Sequence, residues 1–117
     1  MTVETELLTI ERKFWTGGAD FYRKHVDEKC LTAFTDMAGV VSNEQVAKMV
    51  KSDEPRWKNI SFQEKGFLQP AQDTAILTYQ AEADRANGEH YKALVSSAYV
   101  KRGDEWKLAF HQQTPLH

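Results

Sequence analysis

Asp36 is the acid whose setting best suits chemistry, because it follows the β-rich run 31–35 and precedes Met37-Ala38-Gly39. A carboxylate there can lean into the mouth of a cavity, where apolar neighbours raise its pKa and let it move a proton. The alternative is a solvated acid or a loop N-cap. The other reactive residue types point away from familiar chemistries. His25, His90, His111 and His117 show no metal-ligand spacing and Cys30 has no second cysteine near it, so no metal is expected. His111, between Phe110 and Gln112-Gln113, reads as a hydrogen-bonded structural or interface residue, with a functional role as the alternative. Cys30 reads as a small strand hydrophobe rather than a nucleophile. Ser96-Ser97 lacks a G-x-S-x-G elbow and no phosphate-binding glycine loop occurs, so neither a hydrolase triad nor a nucleotide cofactor is expected.

The remaining residues can build a mixed pocket. Trp15, Tyr22, Phe34, Trp57, Tyr99 and Phe110 are candidates for apolar walls, and Thr78, Gln80, Ser97 and Gln112 for a few uncharged polar groups. Such a mixture resembles small-molecule sites. The competing reading is that these aromatics fill the core.

Positioning these side chains falls to helices in the first half and strands in the second. Val3, Leu7, Ile10 and Phe14 fall at helical spacing, with acids in the first turn and Gly17 beyond the end, which predicts an amphipathic helix over 3–16. A short helix is expected from Asp20, its N-cap, to about Val26. Residues 30–35 are rich in β-formers, and 39–41 read as a stub of strand. Ser42 followed by Gln45 is a capping-box pattern; Val46, Met49 and Val50 give that helix its buried side and Pro55 closes it. Strands are predicted over 57–68, 73–85, 90–102 and 105–114. Helices followed by a strand meander predict an α+β fold, and strands of about twelve residues, roughly 40 Å long at ~3.3 Å per residue, tend to coil and leave a concave side.

Turn geometry sets the faces. Read as a two-residue loop, Asn87-Gly88 puts Thr78 opposite Ser97 and Tyr79 opposite Ser96, and Gly103-Asp104 then puts Ser97 opposite Phe110. Ile76, Thr78, Gln80, Tyr91, Val95, Ser97, Tyr99, Trp106, Leu108, Phe110 and Gln112 then share the face expected to be concave, unless a β-bulge swaps part of it. The opposite face, with Leu77, Leu94, Ala98, Val100 and Ala109, is too apolar for water, which predicts an isologous homodimer through that surface.

At 117 residues, 41% hydrophobic and 27% charged, the chain suits a single domain spanning 1–117. A formal charge of -2 without charge blocks argues against nucleic acid. The start lacks a signal-peptide pattern and no stretch nears about 18 apolar residues, so no membrane association is expected. With a single cysteine, this reads as a soluble cytoplasmic protein.

Several segments together resemble the nuclear transport factor 2-like superfamily, which includes SnoaL-like cyclases and ketosteroid isomerase-like enzymes. They are the first helix ending in Phe14-Trp15, Asp20-Phe21-Tyr22, Phe34-Thr35-Asp36-Met37-Ala38-Gly39 before the Ser42-capped helix, and Gly103-Asp104-Glu105-Trp106-Lys107-Leu108. The resemblance covers nearly the whole chain, and in particular the chain resembles the branch of small bacterial proteins of unassigned function. It implies a cystatin-like cone, a strongly curved, mostly antiparallel sheet with three N-terminal-half helices covering its concave face, commonly paired as a dimer. It also places Asp36 near where the isomerases carry a proton-shuttling aspartate. Those isomerases build an oxyanion hole from a tyrosine on the first helix and a buried protonated aspartate; here the helix offers Phe14 and Trp15 and the sheet Ser97 and Tyr99.

The leading expectation is a homodimer that binds a small, largely apolar organic ligand in the cone, without cofactor. The alternatives are a cofactor-independent isomerase, lyase or hydrolase and a dimerisation module with a filled cavity. In the enzyme, Asp36 would move a proton while Tyr99, Gln112 or Ser97 polarises a carbonyl or hydroxyl.

Overall fold

A computed structural model describes residues 2–50 and 57–116. Helix α1 (Val3–Thr16) opens on Thr2, whose side chain accepts from the Thr5 N–H, with Glu4 and Glu6 in its first turn and Lys13 in its last. All three choices suit the helix dipole and its orphan N–H groups. Helix α2 (Ala19–His25) follows, capped at its start by Gly18 with no side-chain hydrogen bond, so Asp20 lies inside the helix rather than capping it. Asp20 pairs there with Arg23 at 2.9 Å. Strand β1 (Val26–Ala33) and β2 (Ala38–Ser42) lead into α3 (Asn43–Met49). Ser42 and Gln45 form the reciprocal capping box that their spacing predicts. The expectation that Pro55 closes this helix falls outside the described residues.

Four long strands complete the chain: β3 (Trp57–Ala71), β4 (Thr74–Arg85), β5 (His90–Arg102) and β6 (Glu105–Pro115). The sheet order is β2-β1-β6-β5-β4-β3. Every pairing is antiparallel except β1 with β6. This is the expected α+β architecture, with a mostly antiparallel sheet whose one face packs against the helices. Register shifts in β3, β1 and β6 break the regular ladder, and each such bulge adds twist and bend.

Two of these details overturn the expected faces. The loop after β4 holds three residues, Ala86, Asn87 and Gly88, because the Arg85 N–H bonds the Glu89 carbonyl at 2.7 Å. Gly88 takes the positive φ of 94° that ends such a loop. Thr78 therefore pairs with Ser96, and Leu77 with Ser97. That single-residue change turns β4 over, so Ala75, Leu77, Tyr79, Ala81 and Ala83 are buried against the helices while Ile76, Thr78 and Gln80 face the other way. The second turn behaves as expected as far as Tyr99 opposite Leu108. A bulge at Ala109 then places Ala98 opposite Phe110 and Ser97 opposite His111. Beyond it, His111 and Gln113 share the face of Ser97, and Phe110 and Gln112 lie on the outer face.

The physical reason lies in the alanines. Ala75, Ala81, Ala83 and Ala93 are at most 1% exposed and bring the sheet close enough to α1 for Leu7, Phe14 and Trp15 to pack on it. A face made only of large rings would hold the helix away.

Candidate functional site

Glu11 is an acid on the apolar side of α1, between Leu7 and Trp15, and it is 1% exposed. Its carboxylate accepts from the Tyr79 hydroxyl at 2.6 Å and the Ser97 hydroxyl at 2.9 Å through Oε1, and from the Tyr99 hydroxyl through Oε2. Trp15 Nε1–H donates in turn to the Tyr79 oxygen at 3.3 Å. Burying a carboxylate is costly unless charge-assisted donors surround it, and three hydroxyls do so here. Burial and the neighbouring Glu11 charge push both phenols well above their usual pKa, which keeps them as donors.

The cluster continues to His111. Ser97 Oγ lies 2.8 Å from His111 Nδ1, and since its one proton goes to Glu11, it must accept from Nδ1–H. The lone pair is thereby assigned to Nε2, which the Gln113 amide nitrogen meets at 3.0 Å. Gln113 also accepts from the Tyr91 hydroxyl at 2.9 Å. Burial lowers the pKa of His111 from 6.5, opposed by the Glu11 charge. Its imidazole is therefore neutral near pH 7.

His111 and Gln113 form part of the wall of a cavity of about 310 Å³. The end of α1 contributes Phe14 and Trp15, α2 Tyr22, α3 Val46 and Met49, β1 Cys30 and Thr32, and β3 Trp57; Phe34, Met37 and Leu108 complete most of the apolar lining. Tyr22 is held by a hydrogen bond from its hydroxyl to the Phe14 carbonyl. Trp15 and Trp57 meet edge to face at 5.0 Å, and Phe34 tilts over His111 at 5.7 Å. Thr32 donates to the Gly39 carbonyl at 3.2 Å, which leaves His111 and Gln113 as the polar feature of this wall. Burial pushes the Cys30 thiol up to about 12, so the thiolate is absent at neutral pH.

The sequence candidates divide among four places. Trp15, Tyr22, Phe34 and Trp57 come together around the cavity. Ser97 and Tyr99 are on the same inner face but sealed behind it, bound to Glu11. Thr78, Gln80, Phe110 and Gln112 lie on the outer face and do not line the cavity, a consequence of the longer loop and the bulge. Asp36 is exposed in the bend between β1 and β2, next to the lining residue Met37. Glu11 and Gln113 are not among the sequence candidates, and His111 enters there with a functional role only as the alternative to a structural one. The available signal for Glu11 was a charge on the apolar stripe of α1; His111 and Gln113 depended on a bulge that periodicity does not reveal.

Among the described residues, no group of three metal-binding side chains occurs and no helix is long and apolar enough to cross a membrane. No family model matches the sequence, and no curated protein matches it. Similarity is found among solved structures. A ketosteroid isomerase candidate from Parabacteroides distasonis shares 14% identity over 98% of this chain and 89% of its own, with a TM-score of 0.80. A protein of unknown function from Prochlorococcus marinus shares 16% over 100% and 95%, with a TM-score of 0.74. Another, from Cytophaga hutchinsonii, shares 11% over 99% and 100%, with a TM-score of 0.72. The latter two are described as nuclear transport factor 2-like. Identities this low carry the likeness of fold alone, and this chain has the nuclear transport factor 2-like fold.

Proposed function

We propose that the protein binds a small, largely apolar organic molecule in the cone, with His111 and Gln113 fixing its polar end. The observation that carries this is the cavity of about 310 Å³, whose lining is mostly aromatic and aliphatic and includes His111 and Gln113. That volume and that lining suit a compact ring-bearing ligand. Two copies would associate through the outer sheet face, where Ile76 and Leu94 are each 39% exposed and Leu68 is 61% exposed. A cytoplasmic setting accords with the reduced, buried Cys30.

Trp15 and Trp57 border the cavity, so titration with aromatic ligands of matching size is expected to change tryptophan fluorescence in a saturable way. Asp36→Asn should leave that binding intact, because Asp36 is exposed outside the lining. If Asp36 instead carries proton chemistry, the variant keeps its fold and loses turnover. An absence of saturable binding across such ligands would contradict the proposal, and a monomer by light scattering at micromolar concentration would remove the dimer.

A further inference from the structure

We propose that His111 is a proton acceptor, and that the cavity takes a ligand whose polar end is a weak acid: an aryl or alkyl carboxylic acid, or a phenol. This rests on the binding reading above and names the ligand's chemical class. Three geometric facts converge. The ring lines the cavity, its side chain being 14% exposed. Its Nδ1–H is committed to Ser97, so Nε2 offers the lone pair. Behind Ser97 stands the buried Glu11 carboxylate, with Oε1 4.0 Å from Nδ1.

A structural tie for Glu11 would be complete without the histidine, since Tyr79, Tyr99 and Ser97 already donate to it. The histidine adds a group that can change charge at the cavity wall. Burial keeps the imidazole neutral near pH 7. When a neutral acid enters, its O–H bond breaks, the electron pair stays on the ligand oxygen, and the proton bonds to Nε2. Charge is conserved: neutral acid and neutral imidazole become anion and imidazolium. Gln113 gives up Nε2 and turns its amide N–H to the new anion, while Tyr91 holds its carbonyl end. The imidazolium then lies between two negative charges, the ligand and Glu11, which offset the burial that disfavours it alone.

The titratable groups around His111 are few. Glu11 on α1 is the charged neighbour acting on it. Cys30 on β1, Tyr79 on β4, and Tyr91 and Tyr99 on β5 all have pKa values raised by burial and stay neutral near pH 7. A proton taken up on binding by the wild type and not by His111→Asn therefore reports His111.

The test is isothermal titration calorimetry of the full chain with 2-naphthoate and related aryl carboxylates, against their neutral amides, in buffers of differing ionisation enthalpy. At about pH 7.5, uptake of about one proton per site is expected for the carboxylates and none for the amides. His111→Asn should abolish the uptake and weaken carboxylate binding by about tenfold or more, a larger loss than it causes for the amides. Ser97→Ala, which breaks the link from His111 to Glu11, should reduce the uptake at this pH without changing amide affinity, a result that a purely structural Ser97 would not give. Carboxylates binding without proton uptake, or amides binding while no carboxylate does, would overturn the proton acceptor and leave the binding cavity standing. Failure of both series would overturn both. The wild-type comparison of acid with amide decides the matter even if a variant does not fold.

Discussion

One face of one sheet carries two regions that treat space in opposite ways. Around Tyr79, Ala81, Ala93, Val95 and Tyr99 the strands are sealed against α1, each of these residues being 0% exposed. Around Thr32, His111 and Gln113 the same face backs onto the cavity. The difference lies in what lies above. Over the sealed half, α1 sends down Leu7 and Glu11, and the inner alanines let it come close. Over the open half, α2 and α3 border the cavity with Tyr22, Val46 and Met49. The hydrogen-bonded chain from Glu11 through Ser97 to His111 crosses the boundary between the two halves.

Removing the acid at the centre of the sealed half should have the largest effect. Glu11→Ala leaves the Tyr79, Tyr99 and Ser97 hydroxyls facing a void, and a loss of about 3 kcal/mol or more in urea unfolding is expected. A loss below about 1 kcal/mol would mean that the cluster relaxes into water and is not sealed. Adding volume to each half sharpens the contrast. Ala93→Leu, with no room around it, should cost about 1–3 kcal/mol, whereas Val46→Phe, which points into the cavity, should stay within about 1 kcal/mol of the wild type. Equal costs would erase the distinction between the halves.

Acidity should act on the boundary more gently. The folded protein holds His111 below its usual pKa of 6.5, so as pH falls below that value the unfolded chain takes up a proton before the folded one does. Stability contributed by the neutral ring is thus present above the unfolded pKa and declines toward the folded one. His111→Gln should flatten this part of the pH profile relative to the wild type; an identical profile would mean that the ring is freely solvated. At the other extreme, Tyr79 and Tyr99 keep their protons beyond the ordinary value of 10.0, so stability should fall as pH rises through 10.0 and the unfolded chain ionises first. The smallest expected effect is at Cys30: with its thiol pKa pushed up to about 12, alkylation near neutral pH should be very slow until the protein unfolds. Rapid native labelling would show that the cavity exposes this thiol to solvent.

Much of the fold was legible because its signals are local. Ser42 with Gln45 marked the start of α3, the apolar spacing from Val3 to Phe14 marked α1, and glycines marked both hairpins. The site was less legible because it depends on register. Asn87-Gly88 located the loop, but only the partner of Arg85 shows that Ala86 belongs to it, and that one residue decides which face Tyr79 and Thr78 occupy. Ala109 has no property that marks it as the bulge that turns His111 inward and Phe110 outward. The aromatic walls Trp15, Tyr22, Phe34 and Trp57 were identifiable because three of them lie on or beside helices and loops, where the register of the hairpins has no influence.

The central claim, that the open half is a binding cavity and not unused space, is tested most directly by ligand-linked thermal unfolding of the wild type beside Val46→Phe. With an aryl carboxylate at about a hundredfold its Kd, the wild type should gain about 2.7 kcal/mol of stability while the filled variant gains none. An equal gain in both proteins would place the ligand elsewhere and contradict the account.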